Sequence, residues 1–168
     1  TIMPSLLSLA ASHPERKLEP GEALVTQNDE GGDLFILESG KLVVERDGVA
    51  VATLAQANIL VGEMSVLLGI PNSATVRADG YARVRVIEDA RAILLKDPEM
   101  TFQLAAMVAS RLNATTALLV DLSNENTDKA EKGLLGRILA AIHLPSNDAP
   151  PDGEQPTPWG LVTPSAGL

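Results

Sequence analysis

From Lys17 to about Leu95 the chain alternates short apolar runs with Gly, Asp and Asn. "DLFILES" is a strand candidate closed by Gly40, and "NILV" is strand-like. "KLVVER" and "VAVATL" flank Asp47-Gly48, a strong short hairpin signal because both residues tolerate positive φ. "SATVRA" puts Ala74, Val76 and Ala78 on one face and Ser73, Thr75 and Arg77 on the other. "ARVRVIE" alternates in the same way, and "AILL" reads as the last strand of the series. Many short strands separated by turns predict a sandwich or barrel rather than a parallel sheet. A short helix is expected over residues 4–12.

At Asp97-Pro98-Glu99 the period changes. Asp as N-cap, Pro in the first turn and Glu beside it predict a helix start. Helical periodicity then runs to about Leu122. Val108, Leu112, Thr115, Leu119 and Leu122 are spaced four, three, four and three, the stripe of a coiled-coil seam. The alternative is a helix lying on its own barrel. "SNENTD" interrupts the pattern. Asp128 and Glu131 then have capping-box-like spacing ahead of an apolar face of Leu134, Leu135, Ile138, Leu139 and Ile142. The expected organisation is a barrel over about 16–96, a long helix over about 97–122 within a domain of residues 1–127, a short helix over 128–144 and a Pro-rich tail over 145–168 that holds Trp159.

Composition narrows the function classes. A hydrophobic fraction of 45% supports a real core, and aromatics at 2% leave few platforms for base stacking. The 22 acidic against 13 basic residues give a formal net charge of -9, which repels a phosphate backbone, so DNA binding by this chain is not expected. The absence of cysteine excludes disulfides, thiolate metal sites and a cysteine nucleophile. The opening "TIMPSLLSLAAS" has no basic leader, and no run reaches membrane length, so the expectation is a cytoplasmic protein without a membrane segment. His13 and His143 are isolated, and no Walker loop, HExxH or GxSxG occurs, so neither a metal site nor an enzyme is expected.

The segment "GEMSVLLGIPNSATVRA", Gly62 to Ala78, carries the candidate chemistry. Gly62 lets the backbone approach a ligand, and the helix-compatible "EMSVLL" offers unpaired N–H groups at its start. The alternative is local: Gly62 makes a turn and Glu63 supports the first helical turn through the macrodipole.

"LEPGEAL" at 18–24, "GGDLFILESGKLVV" at 31–44 and this segment occur in order. Together they resemble the cyclic nucleotide-binding domain family, cyclic-AMP receptor protein (Crp/Fnr-like) type, from about Leu18 to Leu144. The resemblance implies a mainly β fold with flanking helices: an eight-stranded jelly-roll barrel followed by a long dimerisation helix. It implies a phosphate-binding cassette at 62–74, with Glu63 on the ribose 2′-hydroxyl and Gly62, Met64 and Ser65 as backbone donors. It places Ser73 beside the phosphate and Ala74 as a small inward residue. Asn72 departs from the family, which has an arginine there to pair with the cyclic phosphate. Thr115 and Thr116 on the closing helix are candidates for base contact, with the seam the favoured place for Thr115. Arg77 is set too far along its strand to replace the missing charge, and Arg77, Arg83 and Arg85 read as solvated strand residues.

The resulting expectation is a non-enzymatic regulatory sensor without a cofactor. Its ligand is a cyclic mononucleotide, cAMP in the first instance, bound weakly because of Asn72. It forms a homodimer through helix 97–122. The rival is a degenerate fold that dimerises or binds protein without nucleotide. A fragment of a Crp-like transcription regulator is the third reading, because the DNA-reading segment expected after His143 is replaced by the Pro-rich tail.

Overall fold

The computed structural model describes residues 5–125, 133–138 and 140. The chain divides into two units, Thr1–Ala109 and Ser110–Leu168.

The first unit holds eight strands: β1 (Glu15–Leu18), β2 (Ala23–Val25), β3 (Leu34–Ser39), β4 (Leu42–Arg46), β5 (Val49–Leu54), β6 (Leu60–Val61), β7 (Thr75–Ala78) and β8 (Ala82–Ile87). They form two four-stranded antiparallel sheets, ordered β1-β8-β3-β6 and β2-β7-β4-β5. The chain passes repeatedly from one sheet to the other, which is the jelly-roll arrangement. Asp47 and Gly48 both have positive φ, 52° and 76°, and set Arg46 opposite Val49. That is the hairpin turn expected from Asp-Gly.

Leu34, Phe35, Ile36 and Leu37 of β3 are all buried. Their alternation explains why "DLFILES" reads as nearly continuous apolar sequence. Phe35 and Leu37 enter the core between the sheets with Leu42, Val76, Ala78 and Val84. Leu34 and Ile36 point the other way, into a second core beneath the helices with Leu6, Leu60 and Ile87. The helices on that side are α1 (Leu6–Leu9), α2 (Glu63–Leu68), α3 (Ala90–Lys96) and the first turns of α4 (Pro98–Glu125).

The α3 helix corrects one expectation. "AILL" is not a strand. Ala90 and Leu94, one turn apart, both face the helical core. Asp89 enters the helix in the left-handed conformation, with its N–H donating to Asp33 Oδ1 at 3.1 Å. Ala, Arg, Leu and Lys favour a helix, and a four-residue apolar window cannot reveal that.

Helix α4 is 28 residues long. Its start follows the sequence signal: Met100 N–H donates to Asp97 Oδ1 at 2.9 Å. Met100 and Leu104 are buried in the helical core, and Met107 and Val108 pack against it. In the second unit, Leu112, Leu118, Val120 and Leu122 are exposed and Leu119 is half-buried. Residues 133–138 and 140 are helical. The remainder of the helix expected over 128–144, and the tail with Trp159, lie outside the described residues.

Candidate functional site

Between β6 and β7 the chain makes one sharp turn, one short helix and one buried return. Gly62 stands at φ 91°, ψ -2°. A Cβ built there would lie 2.5 Å from the carbonyl oxygen of Asp33, so the position needs both the left-handed backbone and the missing side chain. Val66 N–H donates to Gly62 O at 3.2 Å and closes the first turn of α2. Ser65 and Val66 face inward, whereas Met64, Leu67 and Leu68 are exposed.

The return runs through Asn72, which is only 8% exposed. Its Oδ1 accepts from Ser65 Oγ at 3.0 Å, and its Nδ2 donates to Thr26 O at 3.2 Å. Its backbone N–H donates to Asp29 O, and its carbonyl accepts from Asn28 N–H, both at 2.9 Å. Asn72 therefore fastens α2 to the loop between β2 and β3. Gly31 of that loop leaves no room for a side chain, since a Cβ there would meet Ser65 Cβ and Asn72 Oδ1 at 3.0 Å or less. Buried amides satisfied on both sides fix geometry, because an unpaired polar atom there is costly.

Of the seven residues expected in the site, Gly62, Ser65 and Asn72 meet around the loop over 26–33. Glu63, Ser73 and Ala74 are half-buried, and Met64 is exposed. Sequence reasoning missed the loop's part. The Gly31-Gly32 pair was the available signal, and it entered only as part of the segment at 31–44 that carries the resemblance. Two cavities flank the fastening. One, of about 290 Å³, is lined by Asn72, Gly31, Thr26, Phe35 and Arg16. The other, of about 370 Å³, is lined by Ser65, Gly31, Ile70, Asp89 and Arg91.

Arg16 and Arg91 line these cavities, one each, and several arginines are tied to carboxylates. Arg16 meets Glu22 at 2.8 Å. That hydrogen bond, with a second from the Glu19 N–H, holds the Glu22 carboxyl below its usual pKa. Arg77 pairs with Glu45 at 3.3 Å and is largely solvated, as expected. Arg83 is solvated too and bonds Ser39 Oγ at 3.0 Å. Arg85 corrects the reading: it is half-buried, lies 3.4 Å from Glu38 and 3.7 Å from Glu15, and donates to the carbonyls of Ala11 and His13. It ties the end of α1 to the sheet. Among the described residues no cluster of His, Asp and Glu could hold a metal ion, and no helix is long and apolar enough to cross a membrane. His143 lies outside them.

Known proteins share this layout. Residues 15–95 match the family model of the cyclic nucleotide-binding domain. Over 71 residues the chain is 37% identical to the cAMP-dependent protein kinase regulatory subunit of Yarrowia lipolytica, covering 42% of this chain and 19% of that one. It thus spans about a fifth of that relative. The catabolite activator protein of Thermus thermophilus superposes with a TM-score of 0.57 at 29% identity, covering 70% of this chain and 58% of that chain. The N-terminal domain of a transcriptional regulator from Streptomyces coelicolor A3(2) gives 0.51 at 30%, covering 64% and 81%. By the family-model match over residues 15–95 and the 30% identity to a domain of which it covers 81%, the chain belongs to the cyclic nucleotide-binding domain family.

Proposed function

We propose that this chain is a non-catalytic regulatory module that binds a cyclic mononucleotide, cAMP first, through residues 62–74. The observation that carries the reading is Gly62, held left-handed against Asp33 and opening directly into α2. In this reading Glu63 accepts from the ribose 2′-hydroxyl. The backbone N–H groups of Gly62, Met64 and Ser65 and the Ser73 hydroxyl serve the phosphate, and Ala74 leaves room for it. Asn72 brings no charge, and its amide is already bonded to Ser65 and Thr26. The lost charge-assisted contact is worth roughly 1.5–3 kcal/mol, or about ten- to a hundredfold in affinity.

The output follows from shared packing. Val66 of α2 lies in the same core cluster as Ala90 and Leu94 of α3 and Met100 and Leu104 of α4. A shift of α2 on binding would repack that cluster and so reposition the start of α4, because a close-packed core does not deform without displacing its neighbours.

The internal satisfaction of Asn72 also favours a second reading, a dimerising or protein-binding module that has given up nucleotide. Calorimetry of the chain with cAMP and cGMP separates the two. Saturable heat with one ligand per chain is the expected result. Silence from both, on protein shown folded by circular dichroism, favours the second reading.

A further inference from the structure

We propose that the pocket served by residues 62–74 takes an uncharged ribonucleoside in preference to the cyclic mononucleotide of the same base. The proposal rests on reading that segment as a nucleotide-binding cassette, and it names the ligand class.

Position 72 supplies the first argument. A cyclic phosphodiester carries a full negative charge, and neutral donors such as the backbone N–H groups of Gly62, Met64 and Ser65 offset less of its desolvation than a cation does. Asn72 has no charge, is 8% exposed, and bonds within the protein through Oδ1, Nδ2, backbone N–H and carbonyl. It cannot turn toward a ligand without breaking the fastening of α2.

The loop bound to the cassette supplies the second. Its sequence "DEGGD" places Asp29, Glu30 and Asp33 within five positions and contains no Lys or Arg. Three contacts fix this stretch against the cassette: Asp29 O with Asn72 N–H at 2.9 Å, Gly31 against Ser65, and Asp33 O against Gly62. Asp29, Glu30 and Asp33 line the cavity of about 290 Å³ beside Asn72 against one basic residue, Arg16, so its lining is net negative.

The arginines do not offset it. Arg16, Arg77 and Arg85 each meet a carboxylate within 3.7 Å. Arg91 shares its cavity with Glu30 and Asp89.

A nucleoside avoids the conflict. It keeps the ribose 2′-hydroxyl that Glu63 would accept from. In place of the phosphodiester it offers free 3′- and 5′-hydroxyls, which donate to carboxylates and carbonyls. A hydrogen bond to a charged carboxylate is stronger than one between neutral groups.

The test is calorimetry on the full chain at low salt with two matched pairs, adenosine against cAMP and guanosine against cGMP. In at least one pair the nucleoside is expected to bind about tenfold tighter or more, the scale of one charge-assisted hydrogen bond. Added salt should strengthen the cyclic nucleotide by screening the carboxylates and leave the nucleoside unchanged. Glu63→Ala, shown folded, should abolish nucleoside binding. Equal or tighter binding of the cyclic nucleotide in both pairs overturns the proposal and leaves the cassette reading standing. Silence from all four ligands removes both. Nucleoside binding that survives Glu63→Ala places the ligand elsewhere and also overturns the proposal.

Discussion

Asn72 is held by four polar partners on a helix and a loop, so any substitution there acts on the fold, and in the proposed function on the ligand as well. Asn72→Arg should tighten cyclic-nucleotide binding by about ten- to a hundredfold, because a guanidinium adds charge and a fork of donors. The same change removes two side-chain hydrogen bonds, one buried and one part-buried, each worth about 0.5–1.5 kcal/mol. The variant should therefore melt lower than the parent while binding better, and both readings come from one sample by calorimetry and a thermal scan. A folded variant with unchanged affinity would show that position 72 does not face the phosphate. Gly62 tests the turn itself. Gly62→Ala combines left-handed strain with a Cβ 2.5 Å from Asp33 O, whereas Gly80→Ala at φ 83° meets no atom within 4 Å. Both should destabilise by about 1 kcal/mol or more from the backbone alone, and Gly62→Ala by clearly more. Urea titrations of the pair measure the difference. Equal losses would mean that the loop yields easily at Asp33.

At the scale of elements, the caps and turns carry measurable weight. Asp97→Ala removes the acceptor of the Met100 N–H and should cost about 1 kcal/mol, seen as a lower urea midpoint with an unchanged slope. No change in midpoint would mean that the packing of Met100 and Leu104 alone sets the helix start. That cap was legible in the sequence because its signal is local: three residues and a change of period. The Asp47-Gly48 hairpin and the alternation of β7 and β8 were legible for the same reason. β1 and β2 were not read as separate strands. They are four and three residues long, too short for alternation to rise above chance. α3 was mistaken for a strand because its four central apolar letters look alike in either period, and only Ala90 facing the helical core separates them. Within the candidate site, Gly62 and Asn72 were visible as residues. The fastening of Asn72 to Ser65 and Thr26 was not, because it joins positions far apart in sequence.

For the whole molecule, charge and exposed apolar surface point to different partners. A formal net charge of -9 opposes a polyanion, so the purified chain should give no salt-sensitive, sequence-dependent shift with duplex DNA, and such a shift would contradict the reading. The apolar surface on the second part of α4 calls for a covering of its own kind. Leu112, Leu118 and Leu122 are 47%, 60% and 45% exposed, and Leu112, Leu119 and Leu122 keep the heptad spacing. The first part of the same helix sinks Met100 and Leu104 into the core of the first unit, which is the barrel-contact reading for those turns; the seam remains a proposal for the residues of the second unit. An apolar stripe at that spacing is satisfied by a second helix bearing the same stripe. A second copy of the chain supplies one with twofold symmetry, the commonest arrangement of soluble oligomers. Light scattering at tens of micromolar should therefore give the mass of a dimer. Leu112→Glu or Leu119→Glu should shift the equilibrium toward monomer, because a carboxylate inside the seam loses water without gaining a partner. Both variants should keep the far-ultraviolet circular dichroism of the parent, since Leu112 is exposed and Leu119 half-buried in the single chain. A monomer mass for the parent at that concentration would remove the seam and leave the stripe to a different protein.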